Sequence, residues 1–349
     1  MQYQKLKLNV SSRSSVPKYK QVAECIMNDI NSGTLEAGHQ IPSINELSHS
    51  SSLSRDTIQK AYKYLRNKNL IISVKGVGNF INIKKSSDKL NIFFLINKPS
   101  SYKMEICNAF VDTIGDKGNI AVSFYYCDEN LFIDGLKKSL GMFDYYVIMP
   151  HFKNESNNHV SYTDKAFEAL QNMPKDKLIL LDTVKEGITG NYGAVCQDFK
   201  NDIFHALEQA SDKLEKYDKI ILIYPKNAVF PYPEPIITGF KAFCSSYNFN
   251  FEVIDTIDDC ISFESKDAYI VIEESDLVDL VQQTKAKHLV LGKDVGVVSY
   301  NETPLKSLLD ITVISTDFKA MGVLTADLIL SNKKEIIKNE FKYIERSSL

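Results

Sequence analysis

The chain has 349 residues, of which 44% are hydrophobic and 24% charged, and its formal net charge is −3. This composition is typical of a globular protein of two or three domains and excludes collagen-like, coiled-coil and intrinsically disordered chains. No apolar run approaches the roughly 20 residues needed to cross a bilayer, and the polar opening lacks a signal-peptide core, so we expect a cytoplasmic protein without a membrane partner. Six cysteines without a CxxC pair argue against a zinc site or a disulfide framework, and no metal or cofactor is expected.

The charge is distributed unevenly along the chain. Residues 1–85 carry 13 Lys and Arg against 5 Asp and Glu, whereas residues 86–349 carry 28 against 39. A basic module attached to an acidic body predicts a polyanionic partner for the first part alone, although basic segments can also be plain solvated surface. A short polar stretch between two apolar strands is typical of a linker. The predicted organisation is an N-terminal arm at 1–16, a basic module at 17–83, a linker at 84–89 and a body at 90–349.

The basic module contains three predicted helices, and the first and the third show an apolar stripe at helical spacing. The second begins at Ser43, whose spacing to Glu46 fits a capping box, and the third begins at Ser54. Two short β-like runs, 70–74 and 79–83, follow and are joined by a glycine-containing turn. Three helices and a hairpin in this order predict a winged helix-turn-helix.

A winged helix-turn-helix reads DNA with the first turn of its recognition helix. Arg55 can pair bidentately with guanine and Gln59 with adenine. The hydroxyls of Ser43, Ser54 and Thr57 stand at helix starts, where they suit phosphates. For each of these side chains alone, a solvated helix face is the more common role, but the set as a whole favours DNA binding.

Residues 17–22, 32–43, 53–58 and 76–80 resemble, in order and spacing, the DNA-binding domain of the GntR family. The resemblance covers residues 17–83 and implies binding to double-stranded operator DNA. Asn45 and Gln59 stand where this family usually has DNA-contacting arginines, so a different operator sequence is expected. The predicted DNA-binding residues are Ser43, Asn45, Ser54, Arg55, Thr57, Gln59, Lys60, Lys75 and Gly76.

From residue 90 onward, short apolar strands alternate with helices. This alternation predicts an α/β fold with parallel sheets, and about 260 residues fit two lobes with a cleft between them. The predicted strands are 91–96, 120–126, 145–149, 177–181, 219–224, 251–254, 269–272, 288–291 and 311–314, and the helices include 104–114, 165–171, 202–214 and 238–247. Polar side chains follow several strand ends, where such sheets bind ligands, and favour a neutral, hydroxyl-rich ligand.

Residues 194–198, 239–243, 294–302, 311–314, 321–326 and 345–348 resemble the LacI-type sensor domain, which has a periplasmic-binding-protein-like fold. The resemblance implies a dimer whose cleft binds a sugar and places Asp198, Glu274, Asn301 and Phe318 at sugar-contacting positions. The family's sugar-binding arginine is replaced by Ile236, and Glu234 or Tyr232 are the candidates to substitute for it. The predicted ligand-binding residues are Ser100, Ser101, Tyr102, Gln197, Asp198, Glu234, Glu274, Asn301, Asp317 and Phe318.

A GntR-type head on a LacI-type sensor resembles the architecture of arabinose-responsive repressors. It implies a homodimeric repressor of carbohydrate-utilisation genes, released from an inverted-repeat operator by a monosaccharide such as L-arabinose or L-fucose. The alternatives are a regulator that senses a non-sugar metabolite and an enzyme fused to a DNA-binding domain. The enzyme is disfavoured because the sequence has no GxSxG, HExxH or Walker motif.

Overall fold

The computed structural model describes residues 6, 8–11, 14–35, 38–74, 77–82, 89–140, 142–226, 228–257 and 266–349. The chain divides into two units, Met1–Asn91 with Lys138–Asp144 and Ile92–Lys137 with Tyr145–Leu349. The predicted linker at 84–89 lies outside the described residues except for Lys89, so its boundaries stay a prediction. In the described part of the chain, no helix has both the length and the apolarity needed to cross a membrane.

The first unit is a winged helix-turn-helix, as predicted. Its elements are α1 (Lys18–Asn31), β1 (Gln40–Ile41), α2 (Ile44–Ser51), α3 (Arg55–Asn67), β2 (Ile71–Val74) and β3 (Gly78–Ile81). The three strands form an antiparallel sheet in the order β1-β3-β2. The apolar faces of the helices close one core with the hairpin, and Leu6, Leu8 and Val10 of the N-terminal arm pack against it.

The start of α2 is fixed locally by a capping box, which confirms the prediction from its spacing. The Ser43 hydroxyl accepts a hydrogen bond from the Glu46 backbone N–H at 3.2 Å, and the Ser43 backbone N–H donates to the Glu46 carboxylate at 2.7 Å. Both otherwise unpaired donors at the start of the helix are thereby satisfied.

The second unit begins with a lobe that we call the N-lobe. Its elements in chain order are β4 (Leu90–Ile96), α4 (Ser101–Ile114), β5 (Gly118–Phe124), α5 (Glu129–Ser139), β6 (Tyr145–Ile148), β7 (Phe152–Lys153), β8 (His159–Val160), α6 (Asp164–Gln171), β9 (Leu178–Asp182) and β10 (Gly193–Cys196).

The chain then forms a second lobe, the C-lobe, and returns to the first. The elements are α7 (Phe199–Gln209), α8 (Ser211–Leu214), β11 (Lys219–Ile223), α9 (Pro235–Ser246), β12 (Phe251–Ile254), β13 (Asp267–Val271), α10 (Glu274–Ala286), β14 (Gly296–Tyr300), α11 (Pro304–Leu308), β15 (Thr312–Thr316), α12 (Phe318–Leu330), β16 (Ile336–Lys338) and β17 (Phe341–Ile344).

Each lobe is built on a six-stranded sheet. The N-lobe order is β16-β10-β9-β6-β4-β5, and the C-lobe order is β12-β11-β13-β14-β15-β17. The strands β11 to β15 pair in parallel, and only the added β17 runs antiparallel to its neighbour β15. Helix α12 packs on α4 in the N-lobe, whereas α7 packs on α9 in the C-lobe. The predicted two-lobed α/β fold is confirmed.

The lobes are connected where β10, β15 and β16 end. Asn339 ties these connections together, because its backbone N–H donates to the Cys196 carbonyl at 2.7 Å and its side chain donates to the Asp317 carbonyl at 3.1 Å. This side chain is buried. The strand ends that face the cleft are therefore held in one hydrogen-bonded junction.

Two predicted elements of the C-lobe are wrong. Residues 288–290 form no strand and Leu291 makes only an isolated bridge, whereas the neighbouring run Gly296–Tyr300 is the central strand β14. Both runs are apolar, but Gly296 lets its strand approach Tyr217, whose ring would lie 2.6 Å from an added Cβ. The predicted helix 202–214 is in fact two helices, α7 and α8, which meet at Ala210.

Candidate functional site

The first turn of α3 presents a polar face opposite the helix's buried side. Ser54 caps the helix by accepting a hydrogen bond from the Thr57 backbone N–H at 3.2 Å. Arg55 and Gln59 are exposed, while Ile58 is fully buried in the core. The face predicted to read base edges is therefore accessible along the whole first turn.

The other predicted DNA-binding residues fall around this turn. Ser43 and Asn45 are exposed at the start of α2. Lys60 is exposed but paired with Asp56 at 2.7 Å, and this hydrogen bond raises the pKa of Lys60. Lys75 and Gly76 lie outside the described residues.

The hairpin is held to α3 by a chain of polar contacts. Arg66 donates from Nη1 to the Ser73 hydroxyl at 3.0 Å, and that hydroxyl donates to the Asn79 side chain at 2.6 Å. Gly78 has a φ of 144°, and an added Cβ there would come within 2.5 Å of the Gln40 amide. The wing is thus set at a defined position relative to the recognition helix.

The second unit contains a cleft between its lobes with about 570 Å³ of unoccupied space, part of it open to solvent. Its lining residues come from both lobes and are Lys98, Tyr102, Lys103, Ile106, Met149, His151, Asp182, Gln197, Phe199, Phe230, Pro231, Tyr232, Pro233, Ile236, Tyr300, Asn301, Thr316 and Phe318.

Aromatic rings form two walls of the cleft. Tyr102 and Phe318 stack with ring centroids 5.1 Å apart. Burial raises the pKa of Tyr102 to about 12, so its hydroxyl remains protonated at neutral pH. The Lys98 ammonium lies 4.6 Å from the centroid of the Phe230 ring. Such rings can stack against the apolar face of a sugar or another flat ligand.

A buried ammonium and a buried carboxyl group lie in the N-lobe half of the cleft. Lys103 donates from Nζ to the Asn97 side-chain oxygen, and burial lowers the pKa of Lys103 to about 8. Burial raises the pKa of Asp182, while the nearby Lys103 and the hydrogen bond from Gln197 oppose that shift. The two groups supply a strong donor and a strong acceptor to the same cavity.

Three buried polar atoms of cleft-lining residues have no hydrogen-bond partner among the described residues: His151 Nδ1, the Tyr300 hydroxyl and Asn301 Oδ1. Buried polar atoms in folded proteins are nearly always paired, and an unpaired one costs about 1–3 kcal/mol. These atoms therefore mark positions where a polar ligand would form hydrogen bonds.

The predicted ligand-binding residues are partly brought together. Tyr102, Gln197, Asn301 and Phe318 line the main cleft. Ser100, Ser101 and Glu274 line an adjoining pocket that shares Tyr102 and Asn301 with it, and Glu234 lies in a third pocket beside Tyr232.

Asp198 and Asp317 do not line these pockets. Asp198 accepts from the Asn201 backbone N–H at 3.2 Å and Asp317 from the Ala320 N–H at 2.8 Å, so the two carboxylates cap α7 and α12. Asp317 also pairs with Lys342.

Sequence reasoning missed Lys103 although its position carried a signal. Lys103, Ile106, Cys107 and Phe110 share one face of α4, and all four are buried. A lysine within an otherwise apolar helical stripe is unusual and points to a special environment. Ile236, which replaces the family arginine, is 1% exposed and forms an apolar part of the wall.

Comparisons of sequence identify the first unit. Residues 18–81 match the family described as "Bacterial regulatory proteins, gntR family". The chain is 30% identical over 83 residues to the HTH-type transcriptional repressor NagR of Bacillus subtilis, which is 24% of this chain and 34% of that protein. It is 34% identical over 74 residues to the histidine utilization repressor of Pseudomonas aeruginosa, or 21% of this chain and 30% of the other. The matches span about a third of the length of these relatives.

Comparisons of structure identify the fold of the second unit. The trehalose repressor from Escherichia coli covers 74% of this chain with a TM-score of 0.59 and 14% identity, over 100% of its own length. A LacI family transcriptional regulator from Enterococcus faecium with bound ribose also covers 74%, with a TM-score of 0.55 and 15% identity, over 98% of its length. The chain thus combines a GntR-type winged helix-turn-helix domain at its N-terminus with a second unit that has the fold of LacI-type, periplasmic-binding-protein-like regulators.

Proposed function

We propose that this protein is a ligand-responsive transcriptional regulator that binds operator DNA through its first unit and a small molecule through the cleft of its second. The observation that carries the proposal is the cleft with unpartnered buried polar atoms, in the same chain as an exposed recognition-helix face. A DNA-binding module alone would not require such a cleft.

The chemistry of the cleft favours a monosaccharide. Stacked rings, a buried ammonium and a buried carboxyl group combine apolar faces with strong hydrogen-bonding groups, as a compact polyol requires. Two neighbours in fold were solved with bound ribose and bound glucose. L-arabinose and L-fucose, expected from the sequence, belong in the first panel of candidates.

The regulator acts as a dimeric repressor in this proposal. Helix-turn-helix proteins usually read two half-sites about one helical turn apart, so the operator is an inverted repeat. A ligand that closes the cleft changes DNA affinity only by its differential binding to two conformations, typically 5- to 150-fold. The proposal assigns the ligand-bound form the weaker affinity.

The test is a DNA selection with the full-length protein, followed by binding of the selected duplex with each sugar present. Selection of an inverted repeat, and release of that duplex by one sugar, is the expected result. If an inverted repeat is selected but no sugar releases the duplex, the proposal of a monosaccharide ligand is wrong, and a regulator of a non-sugar metabolite remains. Failure to select any sequence would refute the regulator.

A further inference from the structure

His151 occupies a position shared by both lobes. It follows β6 in the N-lobe, is 7% exposed, and its Nε2 lies 3.1 Å from the carbonyl oxygen of Pro231 in the C-lobe. A carbonyl oxygen can only accept a hydrogen bond, so Nε2 must carry the hydrogen. Burial, together with nearby Lys103 and His159, lowers the pKa of His151 well below its usual value, so the ring is neutral. This geometry assigns the tautomer.

As a consequence, the other ring nitrogen of His151, Nδ1, is a hydrogen-bond acceptor that lacks a donor in the described part of the chain. In the neutral ring with hydrogen on Nε2, Nδ1 presents only a lone pair. This atom is buried and has no partner among the described residues. The partner it requires is a donor, such as a ligand hydroxyl or N–H, whereas an ionised carboxylate or phosphate oxygen would be repelled. Asn301 Oδ1, on the C-lobe side of the cleft, is a second buried acceptor without a partner.

We propose that His151 accepts a hydrogen bond from one ligand hydroxyl at Nδ1, while its Nε2–H donates to the Pro231 carbonyl. The second bond links the N-lobe to residues 228–233 of the C-lobe, which we call the Pro231 segment. A donating ligand favours the tautomer with hydrogen on Nε2, and only that tautomer can bond to Pro231. Ligand recognition and lobe closure therefore strengthen each other through one side chain. The inference rests on the proposed function, because it requires that the cleft binds a ligand.

Neighbouring contacts support this role for the Pro231 segment. Asn157, from the turn between β7 and β8, donates from Nδ2 to the Ala228 carbonyl at 3.1 Å. The Lys98 ammonium lies over the Phe230 ring. The residues around Pro231 are thus held against the N-lobe at three points, and His151 is the one among them with an unpartnered buried acceptor.

Two substitutions separate the two roles of the ring. In His151→Gln the side-chain amide reaches the place of Nε2 and can still donate to Pro231, but nothing accepts at the place of Nδ1. In His151→Asn the amide sits at the place of Nδ1 and keeps an acceptor there, but it is too short to reach Pro231. Both variants are made in the full chain and checked for folding by circular dichroism.

The probes are D-ribose, D-glucose, L-arabinose, L-fucose and their monodeoxy analogues, titrated calorimetrically. For the sugar that binds, one monodeoxy analogue lacks the hydroxyl that donates to His151 Nδ1. We expect this analogue to bind the wild type about 10-fold more weakly than the sugar itself. That discrimination should disappear in His151→Gln and persist in His151→Asn. Amide hydrogen exchange of residues 228–233 should rise in His151→Asn and remain at the wild-type level in His151→Gln.

Two outcomes would overturn the role of His151 and leave the proposed function standing. In the first, both variants distinguish the sugar from its deoxy analogue as the wild type does. In the second, His151→Asn loses this distinction and His151→Gln keeps it. Absence of binding by every sugar to the wild type would overturn the monosaccharide proposal itself, and the inference with it.

Discussion

The Thr316 hydroxyl donates a hydrogen bond to the Gln197 side-chain oxygen, although the two residues are 119 positions apart in the chain. Thr316 ends a strand of the C-lobe sheet, and Gln197 follows a strand of the N-lobe sheet. The Gln197 amide in turn donates to Asp182. One polar chain therefore runs from the C-lobe through the junction to a buried carboxyl group of the cleft.

Breaking this chain should loosen the junction. Thr316→Val keeps the shape of the side chain but leaves the Gln197 oxygen without its donor, so we expect the free energy of unfolding to fall by roughly 1–3 kcal/mol. Because the chain has no tryptophan, urea unfolding is followed by circular dichroism. Thr325→Val is the control, since among the described residues the Thr325 hydroxyl bonds to the Met321 carbonyl one turn back in α12 and makes no contact between the lobes. Equal losses in the two variants would contradict a special role for Thr316.

Arg55→Ala should weaken operator binding by about 1–3 kcal/mol and relax specificity at one base pair, because a bidentate contact to guanine is lost. The measurement is fluorescence anisotropy with the selected operator and its single-base variants. Lys63→Ala removes the same charge from an exposed position farther along α3 and should weaken all duplexes equally. If Arg55→Ala retains wild-type affinity and specificity, the first turn of α3 does not read bases.

Ser43 has a capping role and a predicted DNA-binding role that can be separated. Ser43→Ala should lower the free energy of unfolding by about 1 kcal/mol, because the cap of α2 is lost. Ser43→Asp keeps a capping oxygen but brings a negative charge to the predicted phosphate contact, so it should fold normally and bind DNA more weakly. Anisotropy at several salt concentrations and thermal melting measure the two effects. Wild-type DNA affinity of Ser43→Asp would show that this helix start does not face a phosphate.

The sequence predicted best what depends on neighbouring residues. The Ser43–Glu46 capping box needs only a three-residue spacing, and it is present as expected. Strand β10, by contrast, was not predicted. It has only four residues and begins at Gly193, and its burial depends on the strands β9 and β16 that pair with it.

The candidate site was predictable only in part for the same reason. Asp198 and Asp317 precede helices, and an Asp there can serve either as a cap or as a ligand contact; the structure shows the caps. The acceptor at His151 Nδ1 depends on a carbonyl 80 residues away, and no local pattern encodes that contact.

The buried ammonium of Lys103 should make stability depend on pH in a defined direction. Burial lowers the pKa of Lys103 from 10.5 to about 8, so between these values the unfolded chain binds a proton that the folded protein has released. Stability contributed by this group therefore rises with pH in that window. Relative to Lys103→Met, the wild type should gain about 2 kcal/mol between pH 8 and pH 10. Urea unfolding of both proteins at each pH measures the difference, in which other titrating groups cancel. A difference that is constant or falls would contradict a buried, titrating Lys103.

Close helix packing in both lobes rests on glycines that no other residue can replace without displacement. An added Cβ at Gly322 of α12 would lie 2.3 Å from the Ile106 carbonyl oxygen of α4, and at Gly239 of α9 it would lie 2.1 Å from the Lys200 carbonyl oxygen of α7. Because backbone atoms cannot rotate away, Gly322→Ala and Gly239→Ala should each lower the free energy of unfolding by about 1–3 kcal/mol.

Gly135→Ala in α5 is the matched control for these two variants. Among the described residues, its Cβ would meet the Leu95 side chain alone, at 3.7 Å, which is an ordinary contact. Without a clash, the higher helix propensity of alanine should leave stability unchanged or raise it by up to about 1 kcal/mol. Thermal melting of the three variants gives the ranking. If Gly322→Ala and Gly135→Ala have the same melting temperature, the contact between α4 and α12 accommodates a Cβ without loss of stability. Close packing at Gly322 then does not fix the positions of α4 and α12, which carry Tyr102 and Phe318.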